Sequence, residues 1–237
     1  MKIEVWSDYV CPFCYIGKRR LEEAIQQLDF KSEIEIEFKS FELDPNAPKS
    51  YDANIHELIA KKYGITVNQA KANNTQIAAQ AKSMGLIYDF EAMKPTNTFD
   101  AHRLAHYANA EGTQDKFSER LLRAYFTEGK DLSSYEVLAS LAKEVGLDYD
   151  QAMKILNSDQ YRDAVRRDES DARRLNISGV PYFVINGKYA ISGAQPTAVF
   201  LQSLKQIRTD EVRVESEISG TSNNESKGIC IDGQCNI

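Results

Sequence analysis

Apolar and polar residues alternate at the head of the chain, with Ile3 and Val5 set against Lys2, Glu4 and Trp6 before a polar Ser7-Asp8. A period of two predicts a strand. From Pro12 the period lengthens, and Ile16, Leu21, Ile25 and Leu28 fall on one face of a helix. Its first turn tolerates the proline because that amide has no helical partner. Glu33 to Phe41 alternates again, Ile34, Ile36 and Phe38 against Glu35, Glu37 and Lys39, and predicts a second strand. From Asp44-Pro45 to about Asp159 the period is helical. Thr66-x-x-Gln69 and Ser133-x-x-Glu136 read as capping boxes and Asp148-x-x-Gln151 as a variant, while Gly64, Gly85, Gly112, Gly129 and Gly146 suit helix C-termini. Roughly five or six helices and no strand are expected in this block. A helix from Gln160 to Leu175 then leads to Tyr182-Phe183-Val184-Ile185, and Asn186-Gly187 before Lys188 to Ile191 is a strong hairpin signal. A last helix, Thr197 to Ile207, offers Val199, Leu201, Leu204 and Ile207 for burial.

Composition narrows the partners. The 237 residues, 42% hydrophobic and 27% charged, suffice for one large domain or a domain with a substantial insertion. A net charge of -6 leaves no basic field, so neither nucleic acid nor a membrane surface is an expected partner. Most of the acidity sits at the end: residues 209–237 carry -4 and residues 1–208 only -2. That tail is poor in large apolar side chains and is expected to lack fixed structure of its own. No apolar run of secretory type precedes the first cysteine, and none approaches the ~18 residues of a membrane span. A cytoplasmic protein is expected.

The four cysteines form two pairs, Cys11/Cys14 and Cys230/Cys235. Cys11-Pro12-Phe13-Cys14 sets two thiols on the first turn of the predicted helix, close enough to close a disulfide. At a helix head, Cys11 faces unpaired amides and the positive end of the helix dipole, which favour thiolate. Cys14, one turn deeper, is expected to be more buried and to act as the resolving thiol. The plainer readings are half of a zinc site and two unrelated buried cysteines. Zinc would need further ligands, and no metal or other cofactor is expected.

Ser178-Gly179-Val180-Pro181-Tyr182-Phe183 places a proline at the opening of a strand. Together with Ser7-Asp8-Tyr9-Val10-Cys11-Pro12-Phe13-Cys14 and with Asn97-Thr98 and Ala101-His102-Arg103-Leu104, it resembles the DsbA-like, FrnE-type oxidoreductases. The resemblance spans about residues 1 to 208. It implies an α/β, thioredoxin-like fold built from residues 1–43 and 159–208, an inserted all-helical domain at 44–158, and a tail at 209–237 bearing a C-x4-C. It further implies Cys11 as nucleophile, Cys14 as resolving thiol and a cis Val180–Pro181 bond, with the Val180 backbone free to pair with an extended substrate. Phe13 is expected at the substrate, and Phe99 and His102 are expected to line the cleft between helical block and core.

Two departures matter. Periplasmic DsbA oxidants resemble Cys-Pro-His-Cys, and Phe13 replaces that histidine, so their redox potential does not carry over. Thioredoxin and DsbA also place a buried acid six residues before the first cysteine, where this chain has Val5. Asp8 is open between proton handling and a loop or capping role. His102 and His106, at i and i+4, share a helix face. Without the glutamate of a zinc-protease helix they do not read as a metal site, and His106 is expected in packing or at the surface. Arg103 is open between a structural ion pair and an anion contact. The arginines of Arg166-Arg167 and Arg173-Arg174, set among acids, read as a solvated helix face.

The expected function is a thiol–disulfide oxidoreductase, with isomerase activity as an extension, acting on protein or peptide disulfides; glutathione and self-association stay open. Cys230/Cys235 read either as an incidental reactive pair or as a redox relay exchanging with Cys11/Cys14. The alternatives are a glutathione-dependent kappa-type transferase or isomerase, whose relatives typically resemble a serine at the nucleophile position, and a zinc- or copper-binding, chaperone-like module.

Overall fold

In a computed structural model, which describes residues 1–221, strand β1 (Lys2–Ser7) turns Ile3 and Val5 to one side and Trp6 to the other, as the alternation requires. It pairs in parallel with β2 (Glu35–Ser40) and antiparallel with β3 (Tyr182–Ile185), which pairs antiparallel with β4 (Tyr189–Ser192). The sheet order is therefore β2-β1-β3-β4. Asn186 and Gly187 both have positive φ, 51° and 65°, which is the backbone a two-residue hairpin of this twist demands.

On one face of the sheet, helices α1 (Pro12–Gln26) and α9 (Thr197–Thr221) close a core of Ile3, Val5, Leu21, Phe38, Phe183, Phe200 and Leu204. On the other, α8 (Arg162–Arg174) lays Ala172 against Trp6 and Val184, and the Trp6 indole donates to the Asp168 carbonyl at 3.0 Å. Between β2 and α8 come six helices and no strand: α2 (Ile55–Tyr63), α3 (Val67–Lys82), α4 (Phe99–Ala110), α5 (Gln114–Phe126), α6 (Tyr135–Glu144) and α7 (Tyr149–Leu156). Their core of Leu104, Phe117, Leu121, Tyr125, Leu138 and Ile155 runs on without a break into Tyr9, Tyr15 and Ile16 beside the cysteine pair. The structure is thus the thioredoxin-like α/β fold with a helical insertion.

Local signals differ from expectation at two places. The Thr66 capping box forms and Asp148 caps α7, but the cap of α6 is Ser134, which accepts from the Val137 amide, one residue later than the Ser133 pattern suggested. Ser133 instead turns its hydroxyl to the Lys49 carbonyl and the Asp131 carboxylate. The last helix does not stop at Ile207. It continues to Thr221, so the first part of the acidic tail is helical rather than unstructured. Cys230 and Cys235 lie outside the described residues.

Candidate active site

β1 delivers the chain to Asp8, and Tyr9-Val10 turns it so that Cys11 becomes the N-cap of α1, with extended backbone (φ -92°, ψ 112°) and Pro12 at the first helical position. The Cys11 amide donates to the Asp8 carbonyl at 3.2 Å, and the Cys14 amide to the Cys11 carbonyl at 3.0 Å. Both cysteines are free thiols, 4% and 2% exposed. Burial, with the neighbouring Cys11 adding to it, pushes the Cys14 thiol well above its ordinary range, although its sulfur accepts from the Asp8 amide at 3.5 Å. A group in that state stays protonated until a base removes its proton.

Opposite stands the cis Val180–Pro181 bond, with the Cys11 thiol donating to the Val180 carbonyl at 3.5 Å. The close approach depends on Gly17. A Cβ there would meet Pro181 Cγ at 3.0 Å and Phe183 Cζ at 3.2 Å. From the helical block, the Tyr88 hydroxyl donates to the Pro12 carbonyl at 2.7 Å and so fixes the first turn of α1 from the far side. Neither Gly17 nor Tyr88 was singled out by sequence reasoning. A glycine interrupting the apolar period of α1 was the available signal for the first, and nothing local marks the second.

Cys11, Pro12, Phe13 and Val180 form one wall of a cavity of about 680 Å³. The remaining wall comes from Leu43 and the insertion: Ile55, Leu58, Ile59 and Ile77 beside Leu43, with Phe90, Met93, Tyr125 and Phe126. The lining is largely apolar, and among the described lining residues Lys62 is the one cation, against Asp8 and Asp44. Phe13 and Leu43, large apolar side chains left partly exposed, stand at its edge. The volume lies in the range of small-molecule and short-peptide sites.

The two helical-block residues expected on this cleft are elsewhere. Phe99 lies under Arg166, whose guanidinium sits 4.5 Å from the ring centroid, and does not line the cavity. His102 is 2% exposed and lies behind the cavity wall, its Nε2 3.4 Å from Asp8 Oδ1 and its ring 4.8 Å from that of Tyr9. Both are displaced from the cleft because α4 packs its 99–102 turn against α8 and the loop before α1, whereas α2 and α3 supply the cavity wall. His106 is a packing residue, Nε2 3.1 Å from Ser40 Oγ and from Asp168 Oδ2. Arg103 is structural, donating to carbonyls of Ile155, Leu156, Ser158 and Gln160 and to Asp100. Arg166 is also no free solvated charge: it bridges Glu42 and Glu169. Among the described residues, no group of three His, Cys, Asp or Glu side chains is placed to hold a metal ion.

Residues 2–205 match the family model of the DSBA-like thioredoxin domain. The chain is 31% identical over 207 residues to the uncharacterized protein YwbO of Bacillus subtilis (strain 168), covering 85% of this chain and 94% of that one. Among solved structures it is similar to the probable DsbA oxidoreductase SCO1869 from Streptomyces coelicolor, at 33% identity and a TM-score of 0.83, covering 99% of this chain and 95% of the other. The cytosolic disulfide reductase DsbM from Pseudomonas aeruginosa with GSH is similar in fold, at 16% identity and a TM-score of 0.64, covering 88% and 100%.

Proposed function

Since this chain belongs to the DSBA-like thioredoxin domain family, we propose that it exchanges disulfides with protein or peptide substrates through Cys11 and Cys14, in the cytoplasm. The observation that carries the reading is the placement of Cys11: N-cap of α1, 3.5 Å from the Val180 carbonyl, on the wall of a cavity, with Cys14 one turn behind it. Cys11 thiolate attacks a substrate sulfur and forms a mixed disulfide. Cys14 then attacks Cys11, closes the internal disulfide and releases the substrate as thiol. The Val180 backbone offers an edge on which an extended substrate adds as a strand, and Phe13 and the apolar cavity take its side chains. Isomerisation is the same first step with release by a second substrate thiol.

Reduction of insulin by dithiothreitol, followed by turbidity, tests this. Cys11→Ser is expected to abolish catalysis, and Cys14→Ser to accumulate a mixed disulfide visible as added mass. Full turnover in Cys11→Ser would refute the proposal. A kappa-type glutathione enzyme needs one active-site nucleophile only and would keep its turnover in Cys14→Ser. Glutathione, named in the DsbM structure, fits here as a transient partner at Cys11 rather than a resident: its two carboxylates would find Lys62 alone among the lining cations. The FrnE-type assignment and a relay through Cys230/Cys235 belong to the same proposal and rest on the C-x4-C spacing.

A further inference from the structure

Four polar atoms behind the cavity are buried without a hydrogen-bond partner: Asp8 Oδ1, His102 Nε2, Glu42 Oε1 and Glu169 Oε1. They form one cluster. Asp8 Oδ1 and His102 Nε2 are 3.4 Å apart, and Asp8 Oδ2 accepts from the Leu43 amide at 2.8 Å, which ties it to the segment bearing Glu42. Glu42 and Glu169 each place their other oxygen on the same Arg166 Nη1, at 2.6 and 2.7 Å. Buried orphan atoms are rare in native proteins, and four together call for an explanation in function. Arg166 reaches partly into solvent, so the cluster runs from the cysteine pair to the surface.

The chemistry of the dithiol needs such a cluster. Cys14 attacks only as thiolate, yet it is buried and protonated, and the strand position that carries an acid in thioredoxin is Val5. Asp8 is the carboxylate nearest along the chain. Its own amide contacts Cys14 Sγ, and it shares the cavity wall with Cys11.

We propose that Asp8, held by His102, takes the Cys14 proton during resolution, with Glu42 and Glu169 acting through His102 as positioning residues. The inference rests on the dithiol reading above. In the step, the Cys14–H bond breaks and the proton passes to Asp8. The Cys14–Cys11 bond forms as the bond from Cys11 to the substrate sulfur breaks, and the departing thiolate receives the proton from Asp8. The dithiol is oxidised and the substrate disulfide reduced, with no further reactant. Burial pushes the Glu42 carboxyl up to about 7, so it keeps a proton almost to neutrality, beside Arg166 and near His102. The charged and titratable groups around Asp8 are otherwise Cys11 and Cys14 of α1, Tyr9, and Tyr125 of α5, with Asp168 of α8 acting on the same Tyr9.

In a Cys230→Ser/Cys235→Ser background, which leaves Cys11 and Cys14 as the reacting thiols, dithiobis(nitrobenzoate) separates the two chemical steps. The first thionitrobenzoate released reports attack by Cys11, and the second reports resolution by Cys14. A carboxylate acting on a protonated thiol gives a second release that hardly changes between pH 6 and 8, whereas unassisted ionisation gives a tenfold rise per pH unit. Wild type is expected to show the flat profile. Asp8→Asn, which keeps an acceptor for the Leu43 amide, is expected to show the rise in the second release, measured relative to the first, and to be about 10²-fold slower in it at pH 6, within the usual reach of general-base catalysis. His102→Gln and Glu42→Gln are expected to keep a flat region but move the pH at which it ends, which a packing role alone would not do. A tenfold rise per unit in wild type would overturn the proposal without any variant, and so would matching profiles in wild type and Asp8→Asn. A second release from Cys14→Ser would instead overturn the dithiol reading.

Discussion

A methyl group added at Gly17 would sit 3.0 Å from Pro181 Cγ and 3.2 Å from Cζ of the fully buried Phe183. Gly17→Ala therefore displaces the loop that faces Cys11, at a cost of about 1–3 kcal/mol for overpacking. The expected outcome is a lower melting temperature and a larger loss of insulin reduction than a stability change alone explains, checked by comparing turnover at a temperature where both proteins are fully folded. Glu42 behaves in the opposite sense. Its folded carboxyl titrates near 7 against an ordinary 4.5 because it is buried, so its contribution favours the fold below about pH 4.5 and is lost as pH rises through 7. Glu42→Gln is expected to flatten the fall in stability between pH 5 and 7.5, by on the order of 2 kcal/mol, measured by urea unfolding across that range. Cys11 and Cys14 were legible in the sequence because their chemistry depends on a single helical turn and its first amides. His102 was legible as a residue of interest but not as to place, since its partner Asp8 comes from the other end of the tertiary contact and no local period points at it. Glu42 carried no signal at all.

Among the elements, β2 shows how the insertion is fastened to the sheet. As the outer strand it would present unpaired amides and carbonyls, a liability that folds cover or blunt. Here Gln114, the first residue of α5, replaces a neighbouring strand: it accepts from the Phe38 amide at 2.9 Å and donates to the Phe38 carbonyl at 2.8 Å. Two residues on, the Ser40 amide donates to Asp168 Oδ2 of α8 at 2.8 Å. Burial alone would raise the Asp168 carboxyl, but His106, the Ser40 amide and Lys39 together hold it below its ordinary range. Gln114→Ala strands both Phe38 groups in a buried site and is expected to cost about 2–4 kcal/mol, at the usual penalty for unsatisfied polar groups. Chemical denaturation reads this directly, and hydrogen exchange of the Phe38 amide should rise with it. The strands, the helices and most caps were legible because period and capping residues are local properties. Side-chain pairing to a strand edge was not, because a glutamine opening a helix looks like any other polar residue there.

Across the whole molecule, α9 decides how a C-terminal cysteine pair can work. Thr197 meets Glu23 of α1, Arg208 meets Glu33 ahead of β2, and Glu211 accepts from Asn186, whose side chain in turn accepts from the Lys2 amide. The helix thus travels toward the start of β1, whereas Cys11 follows the end of that strand. From the level of Glu211 to Cys11 is at least the length of β1, about 17 Å at 3.3 Å per residue, and the helical run from Glu211 to Thr221 adds about 15 Å. The nine residue steps from Thr221 to Cys230 cover at most about 31 Å even fully extended. A tail anchored at Ile207, as the sequence suggested, would have had ample reach to either cysteine; anchored at Thr221, Cys230 falls just short even fully extended, whereas the fourteen steps to Cys235 cover at most about 48 Å. Exchange with Cys11/Cys14 within one chain is therefore expected to run through Cys235, with Cys230 closing the tail disulfide behind it. Cys230→Ser is expected to keep an exchange with Cys11/Cys14 whose rate does not change on dilution, and Cys235→Ser to exchange only between copies, at a rate proportional to concentration. A Cys235→Ser protein that exchanges its tail thiol with Cys11/Cys14 at a rate independent of dilution would show that Cys230 reaches the site itself.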